Sequence, residues 1–285
     1  METHSIGIDI GGTNTDIGLV RSDGVVIGRQ NLPTNQYYDA DVYVSDICDR
    51  IKQLMADNNV GEIEGIGIAA PAGNFYTGCI ENATNLNFQG YTDLPKLVHK
   101  HLDVPVVVSN DANAAAYGEL VYGGAKGMKH FIMITLGTGV GSGIVIDGKV
   151  LYGADGFAGE LGHTCAVRHN GRTCGCGKTG CLETYCSAIG VARTAREYLD
   201  MSDEPSVLRD VENITSKDVY DAAKEGDAVA LRVFKFTGTL LGQSLADFIA
   251  FSAPEAIVLF GGLARAKEFL KEPILEAMNA NVLPL

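Results

Sequence analysis

One pattern occurs twice in the sequence, and this repeat constrains the fold more than any other feature. Residues 8–27 read IDIGGTNTDIGLVRSDGVVI, and residues 134–151 read ITLGTGVGSGIVIDGKVL. In each copy an apolar strand runs into a glycine turn, a second strand follows, and a D-G turn leads to a third strand, as in an antiparallel meander. An internal duplication of this unit predicts two related halves that face each other.

Apolar runs of strand length alternate with stretches of helical spacing in the rest of the chain. Further strands are predicted at residues 63–70, 104–109 and 257–260, and helices at residues 41–58, 95–101, 112–122, 182–199, 216–225, 228–250 and 265–278. This alternation is typical of α/β folds. With 285 residues and 46% hydrophobic content, two domains are expected. We place a small N-terminal α/β domain at residues 1–111 and a larger one at residues 112–285.

The charge and the cysteine usage exclude several classes of partner. A net charge of −13 argues against nucleic acid, whose phosphates need a basic surface, but it allows a nucleotide held by backbone N–H groups and a divalent cation. No apolar run approaches the ~20 residues of a membrane span. The first residues, METHSIGIDIGG, do not resemble a signal peptide. Seven cysteines without an export signal predict a reducing, cytoplasmic location.

Residues 160–183 concentrate metal-binding and acidic side chains. This segment holds two carboxylates, two histidines and four of the seven cysteines in 24 residues. Cys174, Cys176 and Cys181 follow a C-x-C-x4-C spacing with glycines between them, so the backbone can curl and the thiolates can converge on one tetrahedral ion. Zinc suits such a soft, redox-inert site.

Three thiolates leave one position of a tetrahedral zinc site open. His163 is the first candidate for the fourth ligand, His169 is its rival, and Cys165 and Cys186 are lesser candidates. The alternative is a group of reduced thiols without a metal. A closed, four-coordinate site would be structural, and it would hold Glu160 and Glu183 as a clamp for a polar ligand.

The two glycine turns carry hydroxyl side chains, which suits phosphate binding. Thr13 and Thr15 lie in the first turn, and Thr138 and Ser142 lie in the second. Glycines let backbone N–H groups approach phosphate oxygens, and hydroxyls add donors. Neither turn opens a helix, so dinucleotide-binding and Walker motifs are excluded. Asp9, just before the first turn, suits a Mg²⁺ ion that also contacts phosphate. The alternative is two ordinary hairpins.

Two further positions are candidates for chemistry. Asp111 follows an apolar strand and begins a predicted helix, where it is either an ordinary N-cap or a base that orients a hydroxyl nucleophile for phosphoryl transfer. Gly261 and Gly262 follow the strand at residues 257–260. They form either an ordinary strand-to-helix turn or a site where the flat ring of a ligand can approach the backbone closely.

These motifs together resemble the ROK (repressor, open reading frame, kinase) family of sugar kinases. The resemblance runs from residue 5 to about residue 280 and is carried by DIGGT at residues 9–13, LGTGVG at 136–141, ELGH at 160–163 and CGCGKTGCLE at 174–183. It implies the actin-like ATPase and hexokinase superfamily, with two ribonuclease-H-like halves flanking a cleft and a zinc loop in the second half.

The resemblance also implies a role for each matching residue. Asp111 would be the catalytic base on the sugar 6-hydroxyl, and His163 would be the fourth zinc ligand. Substrate contacts would come from Asn85, Asn110, Asp111, Glu160, His163 and Glu183. Gly11, Gly12, Thr13, Thr138 and Gly139 would cradle phosphates near Asp9, while Gly261 and Gly262 would border adenosine. The implied ligands are ATP, Mg²⁺, structural Zn²⁺ and a hexose, glucose first.

Several alternatives and departures accompany this interpretation. The acceptor could instead be fructose, N-acetylmannosamine, N-acetylglucosamine or allose, and the donor could be polyphosphate. A sugar-sensing repressor would need an N-terminal helix-turn-helix, for which the first strand at residue 5 leaves no room; a zinc-loop protein without catalysis is the third class. Phe88 replaces a common family Trp, the loop at residues 70–74 differs, and we expect the family's C-terminal return helix to be missing. A homodimer or homotetramer is expected.

Overall fold

The computed structural model describes residues 2–284, which form two compact units. The first unit contains the chain up to Gly124 together with the segment Tyr152–Ala158, and the second contains Ala125–Leu151 and the chain from Gly159 onward. The sequence places the boundary at residue 111, whereas the first unit runs on to Gly124. The reason is that the helix beginning at Asp111 packs on strands of the first unit.

The first unit is built on a five-stranded sheet. Its elements are β1 (His4–Ile10), β2 (Thr15–Arg21), β3 (Val26–Leu32), α1 (Ala40–Asp57), β4 (Ile66–Ala70), β5 (Cys79–Glu81), β6 (Tyr91–Asp93), α2 (Leu94–Val98), β7 (Val106–Asn110) and α3 (Asp111–Tyr122). The strand order in the sheet is β3-β2-β1-β4-β7, in which β1–β2 and β2–β3 are antiparallel while β1–β4 and β4–β7 are parallel. A separate two-stranded hairpin, β5–β6, was not predicted from the sequence.

The second unit repeats this topology with four strands. Its elements are β8 (Phe131–Leu136), β9 (Val140–Ile146), β10 (Lys149–Val150), α4 (Glu183–Cys186), α5 (Ala188–Asp200), α6 (Ser216–Lys224), α7 (Ala228–Ser252), β11 (Ala256–Phe260) and α8 (Lys267–Asn281). The strand order is β10-β9-β8-β11, in which β8–β9–β10 is an antiparallel meander and β11 is parallel to β8. The strand–turn–strand pattern that occurs twice in the sequence therefore folds twice into the same meander, as predicted.

In β1, alternate side chains point to opposite faces of the sheet, so core residues and the candidate site residue Asp9 lie on different faces. Ile6, Ile8 and Ile10 point to one face of β1 and are buried in a core with α1, so Asp9 lies on the opposite face. Because β1, β4 and β7 are parallel, their carboxyl ends lie at the same edge of the sheet. This edge carries Asp9 and the start of α3.

The helix predicted at residues 182–199 is two helices. Ser187 has an extended backbone conformation, and its hydroxyl accepts a hydrogen bond from Gly190 N at 3.0 Å, so it caps a new helix. The short α4 before this break begins at Glu183. Glu183 therefore begins a short helix of its own, two residues after Cys181, and is not part of the longer helix α5.

Helices α7 and α8 pack with their backbones close together. A Cβ atom on Gly238 would lie 2.8 Å from Pro273, and one on Gly242 would overlap the carbonyl oxygen of Ile274. Glycine is required at Gly242 because any side chain would push α8 away. Neither helix, nor any other helix among residues 2–284, is long and apolar enough to cross a membrane.

The segment Tyr152–Ala158 is held on the first unit by aromatic and polar contacts. The rings of Phe75 and Tyr152 stack with centroids 4.1 Å apart and an interplanar angle of 6°. The buried Asn74 side chain donates to the carbonyl of Asp155 at 2.7 Å, and the Tyr76 hydroxyl donates to the carbonyl of Gly153 at 2.8 Å.

Candidate functional site

Two acidic side chains meet at the carboxyl edge of the first sheet. Asp9 precedes the first glycine turn, and Asp111 begins α3 directly after β7. Reduced hydration raises the pKa of Asp9 above its usual value, and the Asp111 and Asp16 charges raise it further. Because β1, β4 and β7 are parallel, both carboxylates lie at one acidic edge of the sheet, which suits binding of a divalent cation or protonated ligand groups.

Asp111 is oriented by the first turn of its helix. Asn110 is the N-cap, and its Oδ1 accepts from Ala112 N at 2.9 Å; Asp111 Oδ1 accepts from the same N–H at 2.8 Å. Reduced hydration raises the pKa of Asp111, and the Ala112 N–H partly offsets this. The sequence offered an N-cap and a base as alternatives for Asp111. The structure gives the N-cap role to Asn110 and leaves Asp111 one residue further on.

The first glycine turn lies against the loop that carries Asn85. Gly11 N donates to Asn14 O at 2.9 Å, which closes the turn. A Cβ on Gly12 would lie 2.8 Å from the carbonyl oxygen of Asn85, so only glycine allows this approach. The structure thus brings the predicted phosphate turn and the predicted sugar contact Asn85 together.

The four turn hydroxyls divide into two exposed and two buried ones. Thr13 and Thr138 are exposed and remain available to a ligand. Thr15 is buried and hydrogen-bonds the Thr34 hydroxyl at 2.7 Å, and the buried Ser142 accepts from Leu161 N at 3.1 Å. Thr15 and Ser142, which the sequence offered as phosphate donors, therefore serve the fold.

In the second unit the other glycine turn adjoins the Gly261–Gly262 pair. The turn follows β8, and the glycine pair follows the adjacent parallel strand β11, so both lie at the same sheet edge. Gly261 has a φ of 103°, and a Cβ there would lie 2.5 Å from Leu136 O. Both facts require glycine at this position. The turn and the pair leave backbone groups accessible at one edge.

Residues 160–183, called the cysteine segment from here on, fold into a series of tight turns. Cys174 N donates to Lys178 O at 2.8 Å and Gly177 N donates to Cys174 O at 3.0 Å, while Gly177 adopts a φ of 87°. An isolated β-bridge pairs Cys165 with Cys181. These contacts fold the chain so that side chains distant in sequence point to a common centre.

Four ligand atoms converge at that centre. The ligand atoms of His163, Cys174, Cys176 and Cys181 all lie within 4.8 Å of one another. His163 Nδ1 is 3.6 Å from Cys174 Sγ, and the sulfurs of Cys176 and Cys181 are 3.7 Å apart. Tetrahedral zinc with bonds of ~2.3 Å to sulfur places its ligand atoms about 3.8 Å apart. The donor set and its spacing therefore fit zinc, and His169 lies outside the group.

The pKa values of the buried thiols indicate what a metal ion would have to change at this centre. Burial first, and then the neighbouring thiols of Cys176 and Cys174, raises the pKa of Cys181 to about 12. Burial likewise raises the pKa of Cys174. Crowded thiols of this kind lose their protons when a divalent cation offsets the charge.

The buried side chain of Arg172 anchors the cysteine segment to helices α4 and α5. Arg172 donates to Thr184 O at 2.7 Å and to Thr194 Oγ1 at 2.8 Å, and it pairs with Glu197 at 2.5 Å. Its guanidinium lies 4.4 Å from the ring centroid of Tyr185. Sequence reasoning missed Arg172, because arginine is usually exposed and no local pattern marks this one as buried.

The remaining predicted sugar contacts surround the metal-ligand cluster. His163 Nε2 is 4.0 Å from Glu160 Oε2, so the ring offers Nδ1 to the cluster and its other nitrogen to the acidic side. Glu183 Oε1 is 3.7 Å from Cys174 Sγ, and its Oε2 accepts from Val140 N at 2.9 Å. The structure thus groups Glu160, His163 and Glu183, with Glu183 also contacting the second glycine turn.

Comparison with known proteins identifies the family. The ROK family model matches residues 5–283. The chain belongs to the ROK family.

Its relatives include enzymes and a regulator. A glucokinase of Halalkalibacterium halodurans is 36% identical over 285 residues, covering 98% of this chain and 86% of the relative. A ROK family glucokinase from Streptomyces griseus, solved with glucose and AMPPNP, is 32% identical with a TM-score of 0.78, covering 99% of this chain and 90% of that one. A ROK family transcriptional regulator, homologous to the E. coli MLC protein, is 28% identical with a TM-score of 0.88, covering 99% and 71%. The fold of this ROK chain therefore occurs in proteins of both kinds.

Proposed function

We propose that this protein is an ATP-dependent hexose kinase that transfers the γ-phosphoryl group to the 6-hydroxyl of glucose. The observation that carries the proposal is the placement of Asp111, held at the start of α3 with a raised pKa and coupled to Asp9. Enzymes that phosphorylate alcohols use such a carboxylate to orient the hydroxyl and accept its proton. The similarity to a glucokinase bound to glucose and AMPPNP supports the same activity.

Asp111 accepts the proton of the 6-hydroxyl as the phosphoryl group arrives. A base in phosphoryl transfer works mainly by orientation, and a pKa nearer to the working pH improves proton acceptance. Asn110 Oδ1 is occupied by Ala112 N, so the amide nitrogen of Asn110 is the group that donates to a sugar oxygen. Asn85 adds a further contact next to the first glycine turn.

Glu160, His163 and Glu183 hydrogen-bond the remaining sugar hydroxyls. Carboxylates accept from hydroxyls in charge-assisted bonds, which strongly reject ligands without those hydroxyls. ATP is held by backbone N–H groups of Gly11, Gly12 and Gly139 with the exposed hydroxyls of Thr13 and Thr138, and the adenosine borders Gly261 and Gly262. Asp9 would hold Mg²⁺, which neutralises charge on the phosphates when bound.

Zinc bound by His163, Cys174, Cys176 and Cys181 would be structural. Four protein ligands close the coordination sphere, so the ion would stabilise the segment and take no part in the chemistry. By stabilising residues 160–183, the ion would hold the carboxylates of Glu160 and Glu183 in position for the sugar. We also propose that the protein acts in the cytoplasm and does not bind nucleic acid. The net charge of −13 disfavours binding to nucleic acid phosphates.

A coupled assay of ATP consumption tests the proposal. Purified protein is given glucose, fructose, mannose, N-acetylglucosamine, N-acetylmannosamine or allose, with polyphosphate as an alternative donor and Asp111→Asn as control. We expect ATP-dependent turnover that is highest with glucose and is lost in Asp111→Asn. Sugar binding without turnover for any acceptor would contradict the proposal and indicate a sensor.

A further inference from the structure

Three segments of the first unit that are distant in sequence contact one another in a closed ring. They are the first glycine turn with the residue that follows it (residues 11–15), residues 34–36, and the loop between β5 and β6 (residues 82–90). We call this arrangement the contact ring. The proposed phosphate contacts lie on the first of these segments, and the proposed sugar contact Asn85 lies on the third.

Residues 34–36 hold the glycine turn at two points. Thr34 Oγ1 is hydrogen-bonded to Thr15 Oγ1 at 2.7 Å, and Asn35 N donates to Thr13 O at 3.4 Å. Thr15 and Thr34 are both buried, so water does not compete for the bond between their hydroxyls. The backbone of the turn is therefore attached to residues 34–36 on either side of Asn14.

The loop at residues 82–90 completes the contact ring. Asn87 Nδ2 donates to Asn35 O at 2.7 Å, which joins the loop to residues 34–36. Two residues earlier, Asn85 O lies so close to Gly12 that a Cβ atom there would be 2.8 Å away. The loop thus reaches the glycine turn directly at Gly12 and indirectly through Asn35.

Tyr43 in α1 contacts two of the three segments from beneath. Its buried hydroxyl hydrogen-bonds Thr15 Oγ1, and its ring centroid lies 5.3 Å from that of Phe88 in the loop. Burial raises the pKa of Tyr43 to about 12, so the phenol stays neutral at physiological pH and can donate a proton to this bond. A phenylalanine would fill the same space in the core. The hydroxyl adds a fixed attachment for the residue that ends the turn.

We propose that Tyr43 and Asn87 are positioning residues for nucleotide binding, which hold the first glycine turn in its phosphate-binding conformation through the contact ring. The inference rests on the proposed function only in the role given to this turn. Neither side chain needs to touch the nucleotide, because Tyr43 acts through Thr15 and Asn87 acts through Asn35. A turn that is already ordered loses less conformational freedom when a ligand binds, so its affinity for phosphate is higher.

Isothermal titration calorimetry with Mg²⁺ and AMPPNP, in the absence of sugar, tests the role of Tyr43. We expect the dissociation constant of AMPPNP to be roughly 5-fold higher in Tyr43→Phe, which is the factor contributed by one net hydrogen bond. Tyr37→Phe is the matched control. The ring of Tyr37 lies 5.2 Å from that of Tyr43, but its hydroxyl donates to Asp46 instead of to the turn. This control should bind AMPPNP like the wild type.

The same titration with Asn87→Ala tests the contact ring from the other side. Its dissociation constant for AMPPNP should also rise roughly 5-fold, although Asn87 lies on the loop of the proposed sugar contact. Gln89→Ala is the matched control, because the Gln89 amide donates to Leu86 O within the same loop. It should leave the affinity for AMPPNP unchanged. Asn87 is exposed, so its replacement keeps the core intact even if Tyr43→Phe lowers stability.

Hydrogen–deuterium exchange of the ligand-free protein gives an independent measurement. The amides of residues 11–15 should exchange faster in Tyr43→Phe and Asn87→Ala than in the wild type and the two controls, because the turn opens more often. Circular dichroism melts establish that each variant is folded.

The outcomes separate this proposal from the proposed function. An unchanged AMPPNP dissociation constant in Tyr43→Phe or Asn87→Ala would overturn the positioning role, as would wild-type exchange of residues 11–15 in both variants. Wild-type protein that binds AMPPNP but phosphorylates no sugar would overturn the proposed function alone, since both measurements are made without sugar. Wild-type protein that binds no AMPPNP would overturn both.

Discussion

Glu183 and Val140 are joined by a hydrogen bond in which the backbone N–H of Val140 donates to Glu183 Oε2 at 2.9 Å. The other carboxylate oxygen of Glu183 lies 3.7 Å from the sulfur of Cys174. A Cβ atom on Gly139 would overlap Oε2, so the carboxylate lies directly against the second glycine turn. One side chain therefore connects the cysteine segment with the proposed phosphate-binding turn.

This connection predicts that Glu183 affects nucleotide binding as well as sugar binding. Glu183→Ala removes the acceptor of the Val140 N–H and frees the turn, so we expect the dissociation constant of AMPPNP to rise several-fold in the absence of sugar. Glu183→Gln keeps an accepting oxygen and should have a smaller effect. Isothermal titration calorimetry measures both. Unchanged nucleotide affinity in Glu183→Ala would confine the role of Glu183 to the sugar.

Asp111→Asn should reduce turnover by roughly 100-fold or more while sugar affinity survives, because only proton acceptance and orientation are lost. Since reduced hydration raises the pKa of Asp111, the acid limb of the pH–rate profile should lie above the usual range of an aspartate. Steady-state kinetics from pH 4 to pH 8 tests this. Wild-type rates in Asp111→Asn would remove Asp111 from the mechanism.

Asp111→Asn should also be more stable than the wild type at neutral pH. A carboxyl whose pKa is higher in the folded state favours folding when protonated, and this contribution is lost as the pH rises through the folded-state pKa. At pH 7 the ionised Asp111 therefore costs stability, which the neutral amide relieves. We expect a higher melting temperature for Asp111→Asn at pH 7 and a smaller difference at pH 4. A lower melting temperature at pH 7 would contradict this account.

Removing one ligand of the cysteine cluster should cost metal and stability together. Cys176→Ser should lower the zinc content measured by mass spectrometry of the purified protein and lower the melting temperature, because metal binding contributes to folding free energy. His163→Ala should do the same, while His169→Ala should keep its zinc, since His169 lies outside the group of ligand atoms. A full zinc content in Cys176→Ser would exclude the proposed site.

Gly242→Ala should destabilise the second unit. Its new methyl group would overlap the carbonyl oxygen of Ile274 and separate α7 from α8, at a cost of about 1–3 kcal/mol for an overpacked contact. Gly118→Ala is the control, because Gly118 is also helical but a Cβ there meets no atom within 4 Å. It should gain up to about 1 kcal/mol from helix propensity. Thermal melts that rank the two variants the other way would contradict the packing described.

Much of the fold and the family could be predicted because the relevant signals are local. The strand–turn–strand repeat predicted two related sheets, and both have a meander with a parallel strand beside its first member. The C-x-C-x4-C spacing led to the cluster containing Cys174, because glycine turns bring near neighbours together. The α/β class and the ROK family were confirmed.

Other features depend on contacts that a local pattern does not contain. The break at Ser187 was missed because apolar spacing continues across it, and only the side-chain cap reveals a new helix start. Thr15 and Ser142 looked like ligand donors, but burial gives them partners distant in sequence. Arg172 carries no sequence signal, since its buried environment is set by tertiary packing.

The segment Tyr152–Ala158 belongs to the first unit although the chain on either side of it belongs to the second. Neither unit is therefore a continuous stretch of polypeptide. A fragment ending at Gly124 would leave the amide of Asn74 without its carbonyl acceptor and the ring of Phe75 without its stacking neighbour. Dissection of the gene at a single point would consequently yield an incomplete first half, and ribosomal synthesis must reach residue 158 before that half can finish folding.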